Sequence, residues 1–99
     1  MRAKKKDGNH HAVVKAFEDS FWHTEDMTYR DEFCDIHVAS PDYRAWAWVE
    51  IKLDEKKKLT SGEKKFMEKC RAKDAPWYRC DGVEHVPIVQ REILLRFAL

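Results

Sequence analysis

The sequence predicts an α/β domain, a small mixed sheet flanked by helices, with elements in the order α-β-β-α-β-α. Three observations carry that expectation. Apolar residues recur at four-residue steps near the start, two alternating stretches flank a turn in the middle, and a capped helix precedes a short strand and an apolar final helix. Of the 99 residues, 43% are hydrophobic and 12% aromatic, and the formal charge is only +1. A disordered chain would show few aromatics and a large net charge. One globular domain over residues 9–99 is expected, near the lower end of what folds around a single core. Residues 1–8 (MRAKKKDG) read as a flexible basic arm.

Asn9 is placed to cap a first helix reaching about Trp22, because Val13, Phe17 and Phe21 recur on one face. His23 to Glu32 is polar and reads as a loop or short turn. Phe33 to Ala39 has a period of two, with Cys34, Ile36 and Val38 on one side and Phe33, Asp35, His37 and Ala39 on the other. Ser40-Pro41-Asp42-Tyr43 is turn chemistry. Ala45 to Leu53, rich in aromatic and β-branched side chains, forms a second strand antiparallel to the first.

Thr60 and Glu63 fit a capping box, with Thr60 as the N-cap and Glu63 reaching back from the third helical position. That helix continues to about Lys73, burying Phe66, Met67 and Cys70 under a basic outer face, and Pro76 ends it. Trp77 to Cys80 is a third strand and Val83 to Val86 a short helical turn. Pro87 opens a last helix in which Ile88, Val89, Ile93, Leu94, Leu95, Phe97 and Leu99 are apolar.

Cys34, Cys70 and Cys80 form no CxxC pair and leave an odd thiol in any disulfide scheme, which points to reduced, mostly buried thiols and a cytoplasmic location. No His/Cys cluster has zinc spacing. The basic start is followed by no long apolar stretch, so neither a signal peptide nor a membrane span is expected. Lys and Arg gather at 2–6, 56–58 and 64–73, and acidic residues between 18 and 35. Such segregation suits a basic surface around an acidic pocket, although charge runs are also ordinary solvated faces.

Chemistry concentrates at Asp35, Glu50 and Lys52. Residues i and i+2 of a strand point to one face, so Glu50 and Lys52 share a side, and hairpin pairing can bring Asp35 alongside. Two carboxylates and an ammonium are what metal-assisted phosphodiester hydrolysis requires. Hard oxygens hold Mg²⁺ or Mn²⁺, the ion polarises the phosphoryl group and activates a bound water, and a lysine steadies the anionic transition state. Glu-Ile-Lys alone is also common in surface strands.

From Phe33 to Val86 the chain resembles the VRR-NUC family, a compact branch of the PD-(D/E)XK nucleases with a restriction-endonuclease-like core. The residues that carry the resemblance are Cys34-Asp35-Ile36, Val49-Glu50-Ile51-Lys52 and Leu59-Thr60-Ser61-Gly62-Glu63-Lys64. Ala75-Pro76-Trp77-Tyr78-Arg79-Cys80 and Val83-Glu84-His85-Val86 are similar to the family's closing strand and turn. The resemblance implies a divalent-metal-dependent DNA endonuclease leaving a 5′-phosphate, structure-selective for branched DNA in some members. It implies Asp35, Glu50 and the backbone carbonyl of Ile51 as metal ligands and Lys52 as the catalytic lysine. It also implies a homodimer in a bacterial or phage-infected cell.

Cys34 stands where the family carries Pro, a position that ligates nothing. Glu63 stands where Gln is usual, either as a third carboxylate facing the pocket or simply as the capping-box residue. The family often adds a Glu from its first helix, for which Glu18 is the candidate here, a solvated helix residue being the plain alternative.

Lys56, Lys57 and Lys58 follow the catalytic strand and are candidate phosphate contacts. Trp46 and Trp48 share the parity of Glu50 and either stack on unpaired bases or pack against helices. His37 shares Asp35's expected face. Two rival readings stand beside the enzyme: an inactive module of the same fold gripping DNA or a protein partner, and a small regulatory protein using its apolar C-terminal run as an interface.

Overall fold

The structure, a computed structural model, describes residue 6, residues 8–30 and residues 33–98. The basic arm expected at 1–8 lies outside the described residues apart from Lys6 and Gly8, and so does Leu99 of the apolar C-terminal run. Chain order is α1 (His10–Asp19), β1 (His23–Asp26), β2 (Ile36–Ala39), β3 (Trp46–Ile51), α2 (Ser61–Ala72), β4 (Trp77–Cys80), a 3-10 turn (Val83–His85) and α3 (Val86–Arg96). The sheet order is β1-β2-β3-β4. The first three strands pair antiparallel and β4 joins β3 in parallel, with α2 making the crossover that parallel strands need.

Helix α1 ends sooner than its periodicity suggests. Phe21 takes φ 67, its N–H donates to Glu18 O at 2.9 Å, and Trp22 N–H donates to Phe17 O at 3.0 Å. These are the paired bonds of a left-handed helix stop, and Trp22 closes it by packing edge-on against Phe17 with ring centroids 5.9 Å apart. The reversed chain then runs directly into β1.

Strand β1 falls inside the segment that reads as a loop, and this is the main correction to the sequence analysis. Its His-Thr-Glu-Asp lies at the sheet edge, with Glu25 and Asp26 exposed, so it buries too little to leave an apolar alternation. The β2–β3 hairpin is as expected. Its turn is held by the Ser40 hydroxyl donating to Asp42 Oδ1 (2.8 Å) and by Arg44 N–H donating to the same oxygen (3.0 Å).

The register gives the sheet two unlike faces. Ile36, Val38, Ala47, Val49, Ile51 and Cys80 point one way and meet Val13 and Phe17 of α1 and Val86, Val89 and Ile93 of α3 in one buried cluster. The opposite face carries His37, Trp46, Trp48, Glu50, Trp77 and Arg79. Helix α2 lies over that second face, where Phe66 packs between Phe33 (4.5 Å) and Trp48 (6.1 Å). All three cysteines are buried free thiols.

Candidate active site

Four ionisable side chains sink to near-complete burial at one end of the β2–β3 hairpin: Asp35, Glu50, Lys52 and Glu63 are 2%, 1%, 8% and 3% exposed. Charges are rarely buried unless they are paired or hold an ion. Each owes its position to a different piece of local structure.

Asp35 sits immediately before β2. Its N–H donates to Val49 O (3.1 Å) and its carbonyl accepts from Met27 N–H (2.8 Å), so the backbone is held between β1 and β3. Its carboxylate Oδ2 accepts from the Ile51 N–H at 2.7 Å. A longer β2 would offer a backbone carbonyl there, and the Asp35 side chain takes that role. The first carboxylate therefore lies against the peptide between Glu50 and Ile51. It arrives by bending back onto the neighbouring strand, whereas the sequence suggests simple alternation along its own.

Glu50 and Lys52 follow Trp48 on the α2 side of β3. Glu50 pairs in register with Arg79 of β4, and Lys52 N–H donates to Cys80 O at 2.9 Å, extending the β3–β4 ladder by one residue. The Lys52 ammonium meets Glu63 Oε1 at 2.7 Å. That oxygen also accepts the Thr60 N–H at 2.8 Å, while Thr60 Oγ1 accepts from Glu63 N–H at 3.2 Å. Glu63 thus closes the capping box and pairs with Lys52 through the same oxygen. By fixing the first turn of α2 it also fixes the lysine.

The candidate residues do not all converge. Glu18 is exposed and accepts from the Thr24 hydroxyl of β1 at 2.9 Å. The end of α1 that approaches the site is the other one, where the Asn9 side-chain amide donates to Lys52 O at 3.0 Å. Glu18 lies nine residues further on, roughly 13 Å along the helix axis. Asn9 stands at the N-cap position of α1, but its side chain makes no cap hydrogen bond there and clamps Lys52 instead, a contact the sequence does not signal. Lys56, Lys57 and Lys58 are exposed on the loop joining β3 to α2, which is pinned by Arg79 Nη2 donating to Asp54 O at 2.9 Å. His37 is half-buried and stacks on Trp46 at 5.5 Å. Burial pushes its pKa below the usual histidine value against an opposing pull from Glu25, which favours the neutral ring at pH 7.

Among the described residues no three His, Cys, Asp or Glu side chains form a metal-binding cluster. The Asp35 carboxylate lies against the Ile51 amide, and Glu50, the residue before Ile51, is buried on the α2 side of β3; these are the two carboxylates that could hold an ion. Such a sparse, hard-oxygen set suits Mg²⁺ or Mn²⁺, since Mg²⁺ is usually held by one or two carboxylates and completes its shell with water and phosphate oxygens.

The architecture is that of a small mixed α/β domain, a four-stranded sheet flanked by three α-helices. A solved structure described as a VRR_NUC domain superposes with a TM-score of 0.70, covering 86% of this chain and 97% of that one at 21% identity. The resemblance read from the motifs is thereby met in the fold, including the mixed sheet and its flanking helices. No family model matches the sequence, and no curated protein matches it either.

Proposed function

We propose that this chain is a divalent-metal-dependent DNA endonuclease, with Asp35, Glu50 and the Ile51 carbonyl as the Mg²⁺ or Mn²⁺ site and Lys52 as the catalytic lysine. The observation that carries the reading is the Asp35 carboxylate bonded to the Ile51 amide, inside the Glu50-Ile51-Lys52 segment. A bound ion would polarise the phosphoryl group and lower the pKa of its water. Lys52 would orient the attacking water and stabilise charge on the phosphate, held in place by Glu63. Lys56, Lys57 and Lys58 would draw the DNA backbone toward the site. Branched DNA is the substrate class that the resemblance favours.

Cleavage of plasmid and of branched oligonucleotide duplexes, with and without divalent metal, tests this. Glu50→Ala and Lys52→Ala should each lower the rate at least about 100-fold while circular dichroism still reports a folded chain. Unchanged cleavage in either folded variant would sink the proposal.

A second reading is favoured by the same geometry. Lys52 is engaged by Glu63 and all four ionisable groups are covered, as in a module that binds DNA without cutting it. Tight, metal-independent binding with no turnover would support it.

A homodimer is also proposed. Ile88 and Leu95 are exposed on α3, seven residues apart on its outer side, with Arg91 and Glu92 between them. Antiparallel pairing of two copies would set Ile88 on Leu95 and Arg91 on Glu92, a self-complementary arrangement. A monomer at high concentration in sedimentation equilibrium would exclude it.

A further inference from the structure

The end of β3 remote from Glu50 opens on a cleft of about 600 Å³ whose lining joins aromatic and cationic groups, Trp46 and Phe97 with Lys73 and Arg96. Trp46 and Phe97 approach within 6.2 Å. His37 backs the Trp46 ring on the sheet. Arg96 donates to Asp74 O at 2.7 Å and to Asp74 Oδ1 at 2.8 Å, which pairs the exposed carboxylate on this rim with a cation. Lys73, the exposed C-cap of α2, continues the basic outer face formed by Lys65 and Lys69.

We propose that this cleft is a stacking subsite for one unpaired nucleotide of the DNA strand engaged at Glu50, with Trp46 under the base and Lys73 on its phosphate. The inference deepens the nuclease reading and rests on it for the identity of the strand. Its support is local. An aromatic face accepts any base, whereas duplex DNA keeps its bases stacked away from such a surface. A cation beside the ring holds the connecting phosphate. Trp46, Trp48 and Glu50 lie on one face of one strand, so the subsite stands about 13 Å from Glu50 along β3. A single strand leaving the cutting site can cross that distance within a few nucleotides. Such a feature would let a protein that cuts at junctions or overhangs distinguish an unpaired strand from a duplex.

Fluorescence anisotropy of labelled oligothymidine and of a blunt labelled duplex, both with the full chain in EDTA, separates this inference from catalysis. Trp46→Leu should weaken oligothymidine binding by about 5- to 150-fold and leave duplex binding unchanged. Trp46→Phe, which retains a ring, should keep most of the affinity. Lys73→Ala should reduce the salt dependence of oligothymidine binding by about 0.7 in log–log slope. The inference is overturned if Trp46→Leu binds oligothymidine as the parent does, if it loses duplex binding equally, or if the Phe variant is as weak as the Leu variant. Should Trp46→Leu fail to fold, Lys73→Ala decides, and an unchanged salt slope overturns the inference. Because binding is read without cleavage, an inactive protein would not disturb the result.

Discussion

The two faces of the sheet are built to opposite rules. Toward α1 and α3, the strands present Ile36, Val38, Ala47, Val49 and Ile51, all essentially inaccessible, in a cluster closed by Phe17 and Ile93. Toward α2, the same strands present aromatic rings that are only half-buried and a carboxylate that is fully buried. Apolar burial is worth about 25 cal/mol per Å², and the first face concentrates the fully inaccessible apolar side chains. The second face contains a buried ion pair, which is weak evidence for stability because desolvating two charges offsets most of their attraction. Apolar packing and buried charge thus fall on opposite sides of one layer.

Removing charge from the α2 face is the sharpest way to break that contrast. Lys52→Met leaves the Glu63 carboxylate buried without its ammonium, and stability measured by urea denaturation should fall by about 3–5 kcal/mol. Adding Glu63→Gln retains an oxygen for the Thr60 N–H and removes the orphaned charge. The double variant should recover to within about 1 kcal/mol of the parent while remaining unable to cut DNA. If the double variant stays as unstable as the single one, the pair is part of the scaffold and the division between the faces fails.

On the other face the expected result is reversed. Phe17→Ala deletes a side chain at 0% exposure and should cost about 3–5 kcal/mol with metal-dependent turnover per folded molecule unchanged. Turnover falling in proportion to stability, at a temperature where the variant is folded, would show that the core face also tunes the site.

The legible parts of the molecule were those whose signal is local. The hairpin announced itself through alternation and the Ser40–Tyr43 turn, and the start of α2 through a capping box whose two halves are three residues apart. Glu50 and Lys52 shared a face by the arithmetic of a strand. Strand β1 was not legible, since an edge strand of His-Thr-Glu-Asp has no apolar face to reveal it. Nor was the bond from Asp35 to the Ile51 amide, or the contact of Lys52 with Glu63, because both join elements whose relative placement only packing decides. Glu18 illustrates the same limit. The sequence offered an acidic residue on the first helix but not which end of that helix would approach Lys52.

The smallest expected effect lies at the margin between the two faces, on β1. Asp26 ends that strand. Burial raises its pKa, but the Thr28 hydroxyl (2.6 Å) and amide (2.9 Å), with Lys6 at 3.2 Å, outweigh burial and hold the carboxyl at about 2, below its ordinary value of 3.8. A carboxylate whose folded pKa is depressed contributes stability above its unfolded pKa and loses it as pH falls through the folded value. The window of loss is therefore from about 4 down to about 2. The side chain is 55% exposed, so solvent screening limits the contribution to about 1 kcal/mol or less. Asp26→Asn should accordingly cost up to about 1 kcal/mol at pH 7 and only a small remnant of that near pH 2, in thermal melts at the two pH values. A loss as large at pH 2 as at pH 7 would assign the effect to geometry at the end of β1 and not to the charge, and would move this edge from the electrostatic side of the molecule to the packed one.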